Sequence, residues 1–193
     1  MKILFQLPLV LSLFSLSCTG DPVGPATNEE FYPLSIGDWW DETMVRYDSN
    51  RKPVWSGTYH HEVYGTGTGS DGILWYQMGD FQSYSKRPDG IWYVHGQSPD
   101  PHPATLVYKY PAHNGDRYGA YEVVSMNEIV RIDLGAFRSV LYRVHINEGE
   151  RVCLDISVAP GIGRVLMNEI SADTNGRLYV SAQWQLTAFH LQQ

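Results

Sequence analysis

Seven histidines are the first residues in this sequence that could hold a metal or move a proton: His60, His61, His95, His102, His113, His145 and His190. A zinc centre needs three or four ligands converging on one point. His60 and His61 are adjacent, so in a strand they point to opposite faces and do not share an ion. Asp100 and His102 lie in a proline-rich stretch, SPDPHPA, from which they could meet His95 or His113. Glycoside hydrolysis would need two carboxylates roughly 5–10 Å apart across a cleft. Glu62, Glu122, Glu128, Glu148, Glu150 and Glu169 are the candidates, and they are scattered along the chain. Cys153 has nothing around it in sequence to act as the histidine partner of a nucleophilic thiol. No serine stands in a GxSxG elbow. These patterns assign no catalytic residue, no metal site and no cofactor.

Two glycine-rich stretches could in principle cradle a phosphate. In ISVAPGIGRVLMNEI, residues 156–170, the glycines are followed by no helix start signal, which a phosphate loop requires. Ala159-Pro160-Gly161-Ile162 instead predicts a type II turn between neighbouring strands, with proline second and glycine third. Residues 65–72, GTGTGSDG, predict a flexible hairpin tip for the same reason. Aromatic side chains are the remaining candidates. Most of Trp39, Trp40, Trp55, Trp75, Trp92, Trp184 and the 13 tyrosines are expected in the core. The others could line an apolar pocket in a curved sheet, or form a platform for sugar rings.

The elements that must position these residues alternate with period two. Leu178, Val180, Ala182, Trp184, Leu186 and Ala188 share one parity, and Ser181, Gln183, Gln185 and Thr187 the other. That predicts a long strand over 178–190 with one face on a core. Val152, Leu154, Ile156 and Val158 repeat the pattern, with Arg151, Cys153, Asp155 and Ser157 on the wetter face. So do Val140, Tyr142, Val144 and Ile146, and the set Val124, Met126, Val130 and Ile132. Weaker candidates are 39–47, 54–64, 73–84, 91–95 and 105–110. One-sided alternation favours antiparallel pairing. The expected fold is all-β or nearly so: an antiparallel meander of about nine or ten strands, curled into a barrel, half-barrel or sandwich. An internal echo accompanies it. Tyr32-Pro33 with Gly37-Asp38 and Trp40 matches Tyr110-Pro111 with Gly115-Asp116 and Tyr118, which predicts the same strand corner twice.

Net charge is −7 and no basic stripe is visible, so nucleic acid is not an expected partner. The N-terminus predicts an address. Lys2 precedes an apolar run from Ile3 to Leu16 that is short of a membrane span and fits a signal peptide over 1–17. Ser15-Leu16-Ser17-Cys18 resembles a bacterial lipobox, with Ser15 and Ser17 where that pattern favours leucine and a small alanine or glycine. The resemblance implies lipidation at Cys18 and a membrane anchor; the alternative is plain secretion. Residues 18–30 then form the lipidated cysteine and a tether rich in Pro, Gly and Thr, reaching roughly 40 Å at full extension. Residues 31–193 form a single antiparallel β domain. With Cys18 acylated, Cys153 is left without a disulfide partner.

Three further pieces carry a family resemblance: YPLSIGDW at residues 32–39, Gly135-Ala136-Phe137 ahead of an alternating strand, and APGIG at residues 159–163. Together with the lipobox they resemble a loose group of uncharacterised bacterial lipoproteins. In that group the late corner often continues through Val and Lys; here Ile162 and Arg164 stand instead. The resemblance implies an antiparallel β domain on a lipid anchor in the cell envelope, at the outer membrane in a Gram-negative host, and transfers no active site. The expected function is non-catalytic binding of an apolar ligand. The alternative is a glycan- or cell-wall-binding module, with hydrolysis a third reading.

Overall fold

A computed structural model describes residues 31–79, 82–96, 103–146 and 153–192. These residues form twelve strands: β1 (Trp39–Tyr47), β2 (Pro53–Thr68), β3 (Leu74–Met78), β4 (Gln82–Arg87), β5 (Gly90–His95), β6 (Thr105–Lys109), β7 (Arg117–Tyr118), β8 (Tyr121–Ile132), β9 (Gly135–His145), β10 (Cys153–Ala159), β11 (Gly163–Ala172) and β12 (Leu178–His190). All pairings are antiparallel, and β12 returns to pair with β1. The all-β meander expected from alternation is therefore the fold, as a twelve-stranded sheet nearly closed into a barrel. The count exceeds nine or ten partly because residues 73–84 hold two strands rather than one and because Arg117–Tyr118 is too short to show a period.

The seam of the ring falls in mid-chain, between β6 and β7, not between the termini. Tyrosine hydroxyls do there what a neighbouring strand does elsewhere. The Tyr118 hydroxyl accepts from the Lys109 amide at 3.2 Å and donates to the Val107 carbonyl at 3.1 Å. The Tyr142 hydroxyl donates to the Lys109 carbonyl at 2.8 Å. Three backbone groups at the edge of β6 are thus met by side chains, which shortens the template for stray pairing.

Side-chain parity holds in β12, where Ala182 and Leu186 are buried. It fails in β8. Val123 and Val130 are the buried pair, although they differ in parity, because irregularities at Val123/Ser125 and Ser125/Glu128 shift the register. The set Val124, Met126, Val130 and Ile132 is thus not one face. Ser157, expected on a wet face, is buried too, next to the corner where the Gly161 amide donates to the Phe31 carbonyl at 3.2 Å. Gly65 and Gly67 belong to β2 and pair with β3, so the hairpin tip is confined to residues 69–73.

The sequence echo is a repeated structure. In the first copy the Gly37 amide donates to the Val63 carbonyl, the Val63 amide to the Asp38 carbonyl, and the Asp38 carboxylate accepts from the Ser35 amide. In the second copy Gly115, Val123, Asp116 and His113 take the same four places. Both glycines have positive φ, 92° and 87°, which only glycine adopts without strain. The copies differ in what else the aspartate holds: Asp38 takes the Gln192 amide at 2.7 Å, whereas Asp116 takes the Lys109 ammonium at 2.9 Å.

Candidate functional site

The histidines do not converge. His60 and His61 lie on opposite faces of β2 as adjacency requires. His60 turns outward, with Nδ1 2.6 Å from Asp41 and Nε2 3.7 Å from Glu62. The hydrogen bond that the His60 ring donates to the Asp41 carboxylate raises the His60 pKa. His145 meets Glu122 at 3.3 Å, His113 stands exposed near Asp116, His190 stacks on Trp39, and His95 contacts the Tyr93 hydroxyl. Among the described residues no three His, Cys, Asp or Glu side chains come together to hold a metal ion. Glu62 and Glu169 are on other strands, while Glu122 and Glu128 share a face of β8 but pair with Arg143 and Ser139, roughly 13 Å apart along β9, beyond the spacing of a glycosidase pair. Cys153 is half-buried, and burial raises its thiol pKa. Asp100, His102, Glu148, Glu150, Cys18 and the leader lie outside the described residues. Two of the six tryptophans, Trp40 and Trp75, are buried, fewer than expected, because a sheet closed into so small a ring has more outer than inner face.

The APGIG corner has the predicted turn. The Ile162 amide donates to the Ala159 carbonyl at 3.0 Å, and Gly161 sits at φ 77° in the third position. Its amides serve the chain itself, since Gly161 donates to Phe31. Two motifs meet here. The Trp40 indole donates to the Ile162 carbonyl at 2.6 Å, and a β-carbon at Gly163 would lie 3.3 Å from both Trp40 and Tyr32.

Directly inside this corner is a polar interior in which His61 meets Glu42 and Arg164. Trp40, Glu42 and Met44 share the inward parity of β1. Arg164, the first residue after the corner, reaches across and grips Glu42 with two bonds, Nε to Oε1 at 2.8 Å and Nη2 to Oε2 at 2.5 Å. His61 Nε2 stands 3.4 Å from the same carboxylate. Glu42 is only 4% exposed. Burial works against its charge, but the Arg164 guanidinium and the bonds from His61 and Arg164 outweigh it and hold the carboxyl at about 2. Tyr32, Tyr84 and Tyr108 wall the pair, and burial pushes the Tyr32 hydroxyl up to about 12. The space left is about 60 Å³, room for roughly two waters. A carboxylate locked to an arginine across this small space ties β1 to β11.

The opposite end of β1, β11 and β12 is open. A largely apolar groove of about 440 Å³ is lined by Tyr47, Ile170, Leu178, Tyr179 and Val180, with Arg51 and Gln183, within the roughly 300–1,000 Å³ of small-molecule sites. Leu178 is 53% exposed there. A polar hollow adjoins it, sharing Tyr179 and lined by Asn50, Asp173 and Arg177.

No family model and no curated protein matches the chain. Solved structures that resemble it include the following two. A presumed lipoprotein from Parabacteroides distasonis aligns over 83% of this chain and 98% of its own, at 12% identity and TM-score 0.48. A presumed exported protein with a YmcC-like fold from Bacteroides fragilis aligns over the same shares, at 12% identity and TM-score 0.49.

Glu42 and Arg164 escape a motif search because ion-pair partners 122 residues apart carry no local spacing. The one available signal is parity: Glu42 stands between the apolar Trp40 and Met44 on the same face of its strand.

Proposed function

We propose that this chain is an exported protein, anchored by lipid at Cys18 in the bacterial cell envelope, whose β domain binds an apolar ligand and performs no chemistry. The groove between the β1–β2 and β11–β12 hairpins carries this reading. Its wall is apolar, and Leu178 is left in water, where a ligand would cover it. The concavity of the sheet is not the site in this proposal, because its interior is filled by Tyr142, Leu186 and Val63 and by the Glu42–Arg164 pair. The anchor is supported by the leader and by the lipobox-like Ser15-Leu16-Ser17-Cys18.

Two experiments test this. Cys18→Ser is expected to abolish metabolic labelling with palmitate; unchanged labelling removes the anchor. Lipid extracts of the purified chain are expected to contain apolar small molecules, and Leu178→Asp, which puts a charge on the wall, is expected to deplete them. An equal yield from both proteins removes the groove.

A glycan-binding reading rests on Trp55 and Tyr59, exposed on one face of β2. It is the weaker one, because the Trp55 indole folds back over Gly57 and carries Arg46 at 5.9 Å from its ring. Oligosaccharide binding lost in Trp55→Ala would reverse that order.

A further inference from the structure

The two hairpins that frame the groove end in the same turn. In Asp48-Ser49-Asn50-Arg51-Lys52 the aspartate Oδ1 accepts the amides of Asn50 and Lys52, both at 2.9 Å. The Arg51 amide donates to the Asp48 carbonyl, and the Asp48 amide to the Lys52 carbonyl. In Asp173-Thr174-Asn175-Gly176-Arg177 all four bonds recur, residue for residue. The fourth position is left-handed in both, at φ 76° for Gly176 and 62° for Arg51. Glycine takes that conformation freely and arginine does not. Arg51 is the one non-glycine residue with positive φ among those described. The fold therefore does not call for arginine here; the twin turn shows that glycine serves.

What Arg51 has that glycine lacks is a guanidinium beside the apolar wall. It lines the groove, and Arg177 lines the polar hollow next to it. Neither side chain has a hydrogen-bond or ion-pair partner among the described residues, while the nearby Asp48 and Asp173 carboxylates are engaged by turn amides. Apolar surface flanked by two unspent cations is complementary to a molecule with an acyl chain and a negative head. Arginine suits such a head because its planar fork matches an oxyanion with two bonds.

We infer that the groove takes an anionic amphiphile, its acyl chain against Ile170, Leu178 and Val180 and its carboxylate or phosphate head on Arg51, with Arg177 flanking. This rests on the groove being the ligand site, as proposed above. The experiment separates the two claims. The full chain carrying Cys18→Ser, which lacks the acyl acceptor, is titrated by calorimetry with dodecanoate and dodecyl phosphate below their micelle concentrations and with dodecanol below its solubility limit. The anions are expected to bind about tenfold more tightly than the alcohol, the scale of one charge-assisted contact. Arg51→Gly, whose turn has its pattern in Gly176, is expected to fold and to bring all three within about twofold, the anions losing far more affinity than dodecanol; Arg51→Lys keeps part of the preference. Binding by the apolar leader is common to all variants and cancels in the comparison. Tighter binding of dodecanoate than of dodecyl phosphate assigns a carboxylate head, and the reverse order a phosphate head. Equal binding of alcohol and anions by the Arg51 protein, or a preference that survives Arg51→Gly, overturns the inference and leaves the apolar groove standing. Failure of all three to bind overturns the groove as well.

Discussion

The two ends of β1, β11 and β12 use arginine in opposite ways. They are roughly 30 Å apart, the length of a nine-residue strand. At the corner end Arg164 is paired twice with a buried carboxylate and walled by tyrosines. At the hairpin end the Arg51 and Arg177 side chains have no hydrogen-bond or ion-pair partner among the described residues and stand on exposed turns. Desolvating a charge costs several kcal/mol, so a buried guanidinium persists only with its counter-charge in place. A solvated one costs almost nothing to keep idle and remains free for an outside anion. One end is committed to holding the barrel together; the other has chemistry to spare.

That contrast is broken most directly at the committed end. Arg164→Ala leaves Glu42 buried without its cation, and a loss of about 3–5 kcal/mol in urea unfolding is expected. Arg164→Met combined with Glu42→Leu removes both charges and is expected to recover most of the loss. A single mutant as stable as the parent would show that the pair is not buried in solution. Arg51→Ala, by contrast, removes an unpaired exposed charge and is expected to leave the midpoint almost unmoved.

Acid provides the next test. The Glu42 carboxyl titrates at about 2 in the fold against 4.5 for an ordinary glutamate. A depressed acid stabilises the fold above the unfolded value and loses that contribution as pH falls toward the folded one. The difference corresponds to roughly 3 kcal/mol, present above about pH 4.5 and gone near pH 2. Unfolding of the parent should therefore steepen through that window relative to the Glu42→Leu, Arg164→Met double mutant. Identical pH profiles for the two proteins would detach the acid response from this pair.

The repeated corner gives a smaller effect of the same kind. Asp38 is 1% exposed and accepts two backbone amides, one of them from Gln192. Asp38→Ala should cost about 2–3 kcal/mol, as expected for bonds to a buried charge. Asp116 holds the matching amide, but its second partner is a lysine in contact with water. Asp116→Ala should shift the unfolding midpoint far less, and equal shifts would mean that burial does not separate the two copies.

Much of this fold is legible in the sequence, for a physical reason. Where one face is wet and one dry, every residue reports its side, so the strand at 178–190 and the one at 39–47 can be placed to the residue. The turn at Ala159–Ile162 is legible because proline and glycine each fix one dihedral. Period two fails where the ladder slips, as in β8, and where both faces are covered, as at Ser157. The seam between β6 and β7 is illegible, because it depends on where tyrosine hydroxyls arrive in space. The groove is illegible for a different reason: its wall comes from two hairpins more than a hundred residues apart. The turns beside it are another matter, since DSNRK and DTNGR are both plain in the chain. Their likeness gains meaning only once β12 is known to lie next to β1.

Those turns also offer the finest test of the contrast between the ends. If Arg51 is kept for a ligand and not for the fold, exchanging the turn residues should move stability in opposite directions. A left-handed conformation costs a non-glycine residue roughly 1–2 kcal/mol. Placing glycine there relieves that strain but adds about 0.4–1 kcal/mol of unfolded-state entropy. Arg51→Gly should therefore gain about 0.5–1 kcal/mol, and Gly176→Arg should lose a similar amount. The double exchange moves the arginine from one turn to the other and should return to the parent midpoint, because the turns have the same hydrogen bonds and the same handedness. Arg51→Gly lowering the midpoint would mean that the guanidinium stabilises the hairpin after all, and its place beside the groove would then need no ligand to account for it.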